Sequence, residues 1–139
     1  MEPLQRKDIH PDTLFRRKVD GHLLYTPVVV VSAGKTIFVS GLLARNREGT
    51  IIGVGDMAAQ IRQVGENLRL ALEAAGASLN DLVRTCTYVT DIDEFFRHVD
   101  VRQEFLGPGM PTSTTIEVRR LSHPDFMVEI EAVAMIDGA

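Results

Sequence analysis

The sequence predicts an α+β domain, one mostly mixed sheet with two helices over one face, in the order β-β-α-β-α-β-β. Three observations carry this. The β-branched run Val28–Val31 and the segment Thr36–Gly41, separated by a plausible turn at Ala33-Gly34-Lys35, read as a hairpin. Met57, Ile61, Val64, Leu68, Leu72 and Ala75 recur at steps of four or three, one continuous stripe at helical period. Near the C-terminus Phe126, Val128, Ile130, Ala132, Ala134 and Ile136 alternate with Met127, Val133 and Met135, a strand that is apolar on both faces.

Residues 1–22 are polar, carry Pro3, Pro11 and Gly21, and show little periodicity; they predict an extended N-terminal arm ahead of a single domain over residues 23–139. Leu23–Ser32 is the first strand and Thr36–Gly41 the second, followed by a loop at Asn46–Gly49. Asp56 suits the N-cap of the first helix, because its carboxylate can accept orphan backbone N–H groups. Gly76 suits the C′ position beyond it, where φ is positive. After a turn at Asn80-Asp81, Leu82–Val89 reads as a strand, with Val83, Thr85, Thr87 and Val89 on one face and Arg84, Cys86 and Tyr88 on the other. Asp91 with Glu94 resembles a capping box that opens a second helix through Leu106, which Gly107–Pro111 ends. Thr112–Arg120 and Phe126–Ile136 are the last two strands, joined by Leu121–Asp125. Two helices cover one face only, so the second cover of the last strand is expected from other subunits.

Composition agrees. Counting Gly and leaving out Tyr, the 139-residue chain is roughly half apolar, at the high edge for ordinary domains. A short chain has more surface per residue, so this excess points to apolar surface facing a partner subunit. A net charge of −4 with no basic run argues against nucleic acid, which needs clustered Lys and Arg. The single cysteine, Cys86, excludes an internal disulfide and any multi-cysteine zinc site. No apolar run approaches the ~20 residues of a membrane span, and the N-terminus lacks an apolar signal core. The expectation is a soluble, cytoplasmic protein with no nucleic-acid or membrane partner.

Several motifs fail on context. Gly34-Lys35-Thr36 resembles the end of a phosphate-binding loop, but position 29 is Val and a strand rather than a helix follows. Gly53-Val54-Gly55 precedes a helix, yet only Thr50–Ile52 precedes it, and no acidic strand end lies about 20 residues on. His10, His22, His98 and His123 have no metal-ligand spacing, so no metal is expected. No serine sits in a nucleophile-elbow motif, and Cys86 reads as a small buried residue.

Two places are harder to dismiss. Arg102 interrupts the apolar stripe Phe95, Val99, Leu106 of the second helix, where an arginine must snorkel or meet an anion. An inter-subunit salt bridge ranks ahead of a ligand contact there, because structural ion pairs outnumber ligand sites. Glu129 and Glu131 share a face between Met127 and Val133. Acids among apolar neighbours have raised pKa values and need partners. Arg84, Arg119 or Arg120 would supply these structurally; the functional alternative is a carboxyl group that positions or activates water.

Phe38–Gly41, Asn67-Leu68, Leu72–Val83, Thr87–Asp91, Pro111–Val118 and Val128–Ala134 together resemble the RidA/YjgF family, also labelled L-PSP endoribonuclease, over about residues 25–136. His123-Pro124 and the Pro-Thr-x-Thr-Thr segment from Pro111 are most similar to its 2-aminomuconate deaminase branch. The resemblance implies a chorismate-mutase-like fold and a homotrimer with a central β-barrel, outer helices and three clefts between subunits. In active members the clefts hydrolyse imines and enamines to keto acids and ammonia without metal or cofactor. A motif arginine grips the substrate carboxylate, and a glutamate holds the attacking water.

On this chain the resemblance places the glutamate at Glu129, the carboxylate-binding backbone N–H at Thr115 and the cleft Ser-Gly at Ser40-Gly41. The arginine position falls on Ser113. Two further positions, usually tyrosine and asparagine, fall near Val28 and at Val99. Ser113 donates one neutral hydrogen bond where a guanidinium would supply a charged fork. The expected function is therefore a trimer that binds a small molecule, less acidic or more apolar than an imino acid, in its clefts, without ordinary 2-imino-acid deaminase activity. One alternative is that Arg102 rebuilds the anion site and the protein hydrolyses a different enamine or imine, such as an aminomuconate-type intermediate. Another is a non-enzymatic, protein-binding or chaperone-like trimer.

Overall fold

The computed structural model describes residues 2–106 and 109–138. Its centre is a four-stranded sheet of β5 (Lys35–Leu42), β8 (Val128–Ile136), β6 (Leu82–Val89) and β7 (Thr112–Glu117), in that spatial order. β8 pairs antiparallel with both β5 and β6, while β6 and β7 run parallel. Three helices lie over one face: α1 (Met57–Ala74), α2 (Ile92–Phe96) and α3 (Val99–Gln103). The chain is the predicted α+β domain, of the chorismate-mutase-like kind.

α1 forms where the stripe predicted it. Asp56 Oδ1 accepts from the Ala59 N–H at 3.0 Å, Ala75 is the C-cap, and Gly76 takes φ of +77°. Met57, Ile61, Val64, Leu68 and Leu72 are buried, whereas Ala75 has left the stripe and is exposed. They pack on Val128, Ile130, Ala132 and Ala134, the inward set of β8. Glu129, Glu131, Val133 and Met135 therefore lie on the opposite, uncovered face of the sheet.

The expected hairpin of the first two strands does not form. β4 (Val28–Ser32) pairs antiparallel with β1 (Gln5–Ile9), a strand inside the segment read as an arm, and β5 goes to β8 instead. Two left-handed residues, Ala33 (φ 62°) and Gly34 (φ 97°), turn the chain, after which each strand finds a better edge elsewhere. β1 is pinned by Arg6, whose guanidinium donates to the carbonyl oxygens of Leu82 at 2.7 Å and Met110 at 3.0 Å. A tight turn with left-handed Asp20 and Gly21 joins β2 (Lys18–Val19) to β3 (His22–Leu23).

The second helix is also shorter than expected. Asp91 caps α2 by accepting from the Glu94 N–H at 3.0 Å, but the helix breaks at Arg97-His98 before α3 begins. The break re-phases the buried side: Phe95 on α2 and Val99, Val101 and Arg102 on α3 all turn inward, which no single straight helix permits. β7 ends at Glu117 rather than Arg120, and β8 starts at Val128 rather than Phe126. The expected end of the helix at Gly107-Pro108 lies outside the described residues.

Gly65, inside α1, has a packing reason. A Cβ there would lie 2.4 Å from the Phe105 ring. Alanine in a helix interior normally gains about 1 kcal/mol over glycine; here overpacking costs more, so Gly65→Ala is expected to lower stability by about 1 kcal/mol. Thermal denaturation checks the sign.

Candidate anion pocket

β7 registers in parallel with β6, Ser113 opposite Thr85 and Thr115 opposite Thr87. Thr85 and Thr87 are buried, so Ser113 and Thr115 face the helices, while Thr114 and Ile116 face out. α3 delivers Arg102 to the same place. Its side chain is buried, with the residue 2% exposed, and its Nη2 donates to the Leu24 carbonyl at 2.9 Å and to Ser113 Oγ at 3.3 Å. Nη1 donates to Gln103 Oε1 at 2.9 Å. Of the five N–H groups of a guanidinium, three are used in these bonds, and the Nε–H is among those left over.

These residues line a cavity of about 150 Å³ with Arg17, Leu24, Tyr25, Ile92, Phe96 and Thr115. Among the described residues no Asp or Glu lines it. Burial pulls the Arg102 guanidinium down to about 10, far enough to show the cost of desolvation and still cationic at neutral pH. Within the single chain Arg102 makes no ion pair among the described residues; the salt bridge expected for it was one to another subunit. Among the described residues of this chain the site has a buried cation whose remaining donors meet no acid.

Ser40, Gly41 and Glu129 form a second group. β5 skips one residue of register between Val39 and Leu42, a bulge at Ser40-Gly41. A Cβ on Gly41 would lie 2.8 Å from Glu129 Cδ, so the bare glycine makes room for that carboxyl. Burial first, and neighbouring Glu131 second, raise the Glu129 pKa. Glu131 accepts a hydrogen bond from the Tyr88 hydroxyl. Neither acid forms the expected pair with Arg84, Arg119 or Arg120; the Arg120 Nε–H donates to the Leu121 carbonyl. Val99 is buried in the helix layer and does not line the cavity.

The structure thus brings Arg102, Ser113 and Thr115 together on the helix side, and Gly41 and Glu129 together on the other side. Within one chain the two groups do not face each other. Sequence reasoning missed Arg17, Leu24, Tyr25, Ile92 and Phe96. Arg17, Leu24 and Tyr25 lie on or next to a stretch without periodicity; Ile92 and Phe96 stand off the stripe that marked the core. Among the described residues no cluster of three or more His, Cys, Asp or Glu could hold a metal ion, and no helix is long and apolar enough to cross a membrane.

The raised Glu129 pKa fixes a pH dependence. Folded above unfolded, it penalises the native state once the carboxyl ionises, so its contribution falls as pH rises from the usual carboxylate range through the raised value. Glu129→Gln is expected to be more stable than the parent at pH 7, with the difference gone below pH ~4. Urea denaturation at the two pH values measures it.

Fold and pocket define a small α+β domain with an arginine-based cavity between its helices and the edge strand of its sheet. The family model described as Endoribonuclease L-PSP matches residues 20–136, and the chain belongs to this family, the RidA/YjgF proteins. A RutC family protein of Pyrococcus horikoshii is 38% identical over 75% of this chain and 82% of its own. A 2-iminobutanoate/2-iminopropanoate deaminase of Dermatophagoides farinae is 27% identical over 77% of this chain and 83% of its own. The crystal structure of the Rid family protein YyfB from Yersinia pestis superposes with a TM-score of 0.82 at 30% identity, covering 94% of this chain and 98% of that one.

Proposed function

We propose that this chain binds a small carboxylate at Arg102, and hydrolyses an imine or enamine of that acid when a second copy brings Glu129 to the pocket. One observation carries the reading: a buried guanidinium without an acid partner, 3.3 Å from the Ser113 hydroxyl, in an otherwise uncharged or cationic cavity. The charge that Ser113 cannot supply comes from α3. This favours an acidic ligand over the less acidic one expected from Ser113 alone.

Assembly into a trimer is part of the proposal. Phe38 is 80% exposed and Val30 49%, with Val28 and Ile116 also in solvent in the single chain, an apolar surface that association would cover. In the reaction, water adds to the imine carbon, and its proton passes through the Glu129 carboxylate to the nitrogen. As the C–N bond of the resulting carbinolamine breaks, the hydroxyl proton follows the same route, so that ammonia leaves, the keto acid forms and Glu129 is again a carboxylate. The resemblance to a named iminobutanoate/iminopropanoate deaminase supports this chemistry.

A second reading, binding without turnover, is favoured by the separation of Glu129 from Arg102 within one chain. Ammonia release from imines generated in situ by an amino-acid oxidase separates the two. Enzymatic release above the spontaneous rate, falling about a hundredfold in Glu129→Gln, supports hydrolysis. Release at the spontaneous rate, with carboxylate binding intact, leaves only the binding function.

A further inference from the structure

We propose that Arg17 is a second anion-binding residue of the pocket, so that its ligand carries two acid groups joined by an apolar stretch. This rests on the reading that Arg102 takes a carboxylate. Arg17 lies in the N-terminal segment, before residue 20, where the match to the family model begins.

The observations are local. The Arg17 guanidinium sits over the Phe96 ring, 4.7 Å from its centroid, and lines the same cavity as Arg102. It makes no ion pair among the described residues. Stacking on an aromatic face orients a guanidinium and leaves its in-plane N–H groups for a carboxylate. Two cations with no acid between them in one small cavity repel each other, and a ligand with one negative group neutralises only one of them. Leu24, Tyr25, Ile92 and Phe96 supply the apolar walls against which the carbon chain between two acid groups would lie. A single doubly charged group, such as a phosphate monoester, satisfies the charge but leaves those walls unused.

The β2–β3 turn holds the segment in place. His22 Nε2 lies 2.6 Å from Asp100 Oδ1 on α3, so the backbone that presents Arg17 is tied to the helix that presents Arg102. The second charge is thus read by a residue fixed relative to the first.

Calorimetric titration of the full chain with matched acids tests this: succinate against butyrate, glutarate against valerate, and methyl phosphate. The parent is expected to bind each diacid about tenfold more tightly than its monoacid and than methyl phosphate. Arg17→Met keeps an unbranched stem over Phe96; it should retain monoacid affinity and lose the diacid preference. Arg102→Ala should lose both. Equal affinity of the parent for mono- and diacids, a preference for methyl phosphate, or a diacid preference that survives in Arg17→Met overturns the role of Arg17 while leaving Arg102 in place. Binding of no acid at all overturns both.

Discussion

Arg102→Met is expected to weaken binding of small carboxylates about a hundredfold while leaving the melting temperature close to that of the parent. The binding loss follows from the chemistry of a charged fork: each hydrogen bond to a charged group is worth about 1.5–3 kcal/mol, and Met offers none. The near-neutral stability follows from two opposing terms. Burial lowers the Arg102 pKa from the ordinary arginine range to about 10. That is a penalty of about 3 kcal/mol on the native state at neutral pH, which Met does not carry. Against it, the Leu24 carbonyl loses the donor now 2.9 Å away, at a cost of about 1–3 kcal/mol for a buried acceptor. The terms nearly cancel. A residue that only held the fold together would behave differently, since its removal lowers stability and affinity in step. Titration calorimetry with a carboxylate, beside thermal denaturation, reads both quantities; a large fall in melting temperature would show Arg102 to be a structural residue.

The parts of this molecule legible in its sequence are those where one periodicity acts alone. The stripe from Met57 to Leu72 buries one face of α1, and the capping geometry at Asp56 and Gly76 follows from side-chain and backbone chemistry within a few residues. The same holds for β8, whose alternation matches its burial from Val128 to Met135. What the sequence did not show depends on distant partners. β1 is a strand because the edge of β4 needs one and Arg6 reaches the carbonyl oxygens of Leu82 and Met110. Nothing in Gln5–Ile9 alternates strongly enough to announce it. The break at Arg97-His98 places both α2 and α3 against the core, a compromise that a single stripe cannot reveal. At the candidate site, Arg102 stood out as a charge on an apolar face. Its meeting with Ser113 needs α3 and β7 in place, and Arg17 lay in a stretch with no pattern to break.

That meeting changes what Ser113→Arg should do. From the sequence alone, restoring the family's arginine at this position is expected to restore activity. In the structure Ser113 Oγ is 3.3 Å from Arg102 Nη2, inside a cavity of about 150 Å³. A second guanidinium there meets one that is already desolvated, and two like charges about 4 Å apart repel by about 4 kcal/mol at an effective dielectric of 20. The single variant should therefore lose stability and bind carboxylates about tenfold more weakly, because strain and repulsion offset the added charge. Combining it with Arg102→Ala removes the repulsion and frees volume, while the new arginine takes over the anion. The double variant should recover affinity to within about tenfold of the parent, although each single change lowers it. The double-mutant cycle is expected to show a coupling of more than about 1 kcal/mol, the signature of two side chains competing for one place. Purely additive losses would mean that positions 102 and 113 act independently, and that the anion site is not shared between α3 and β7.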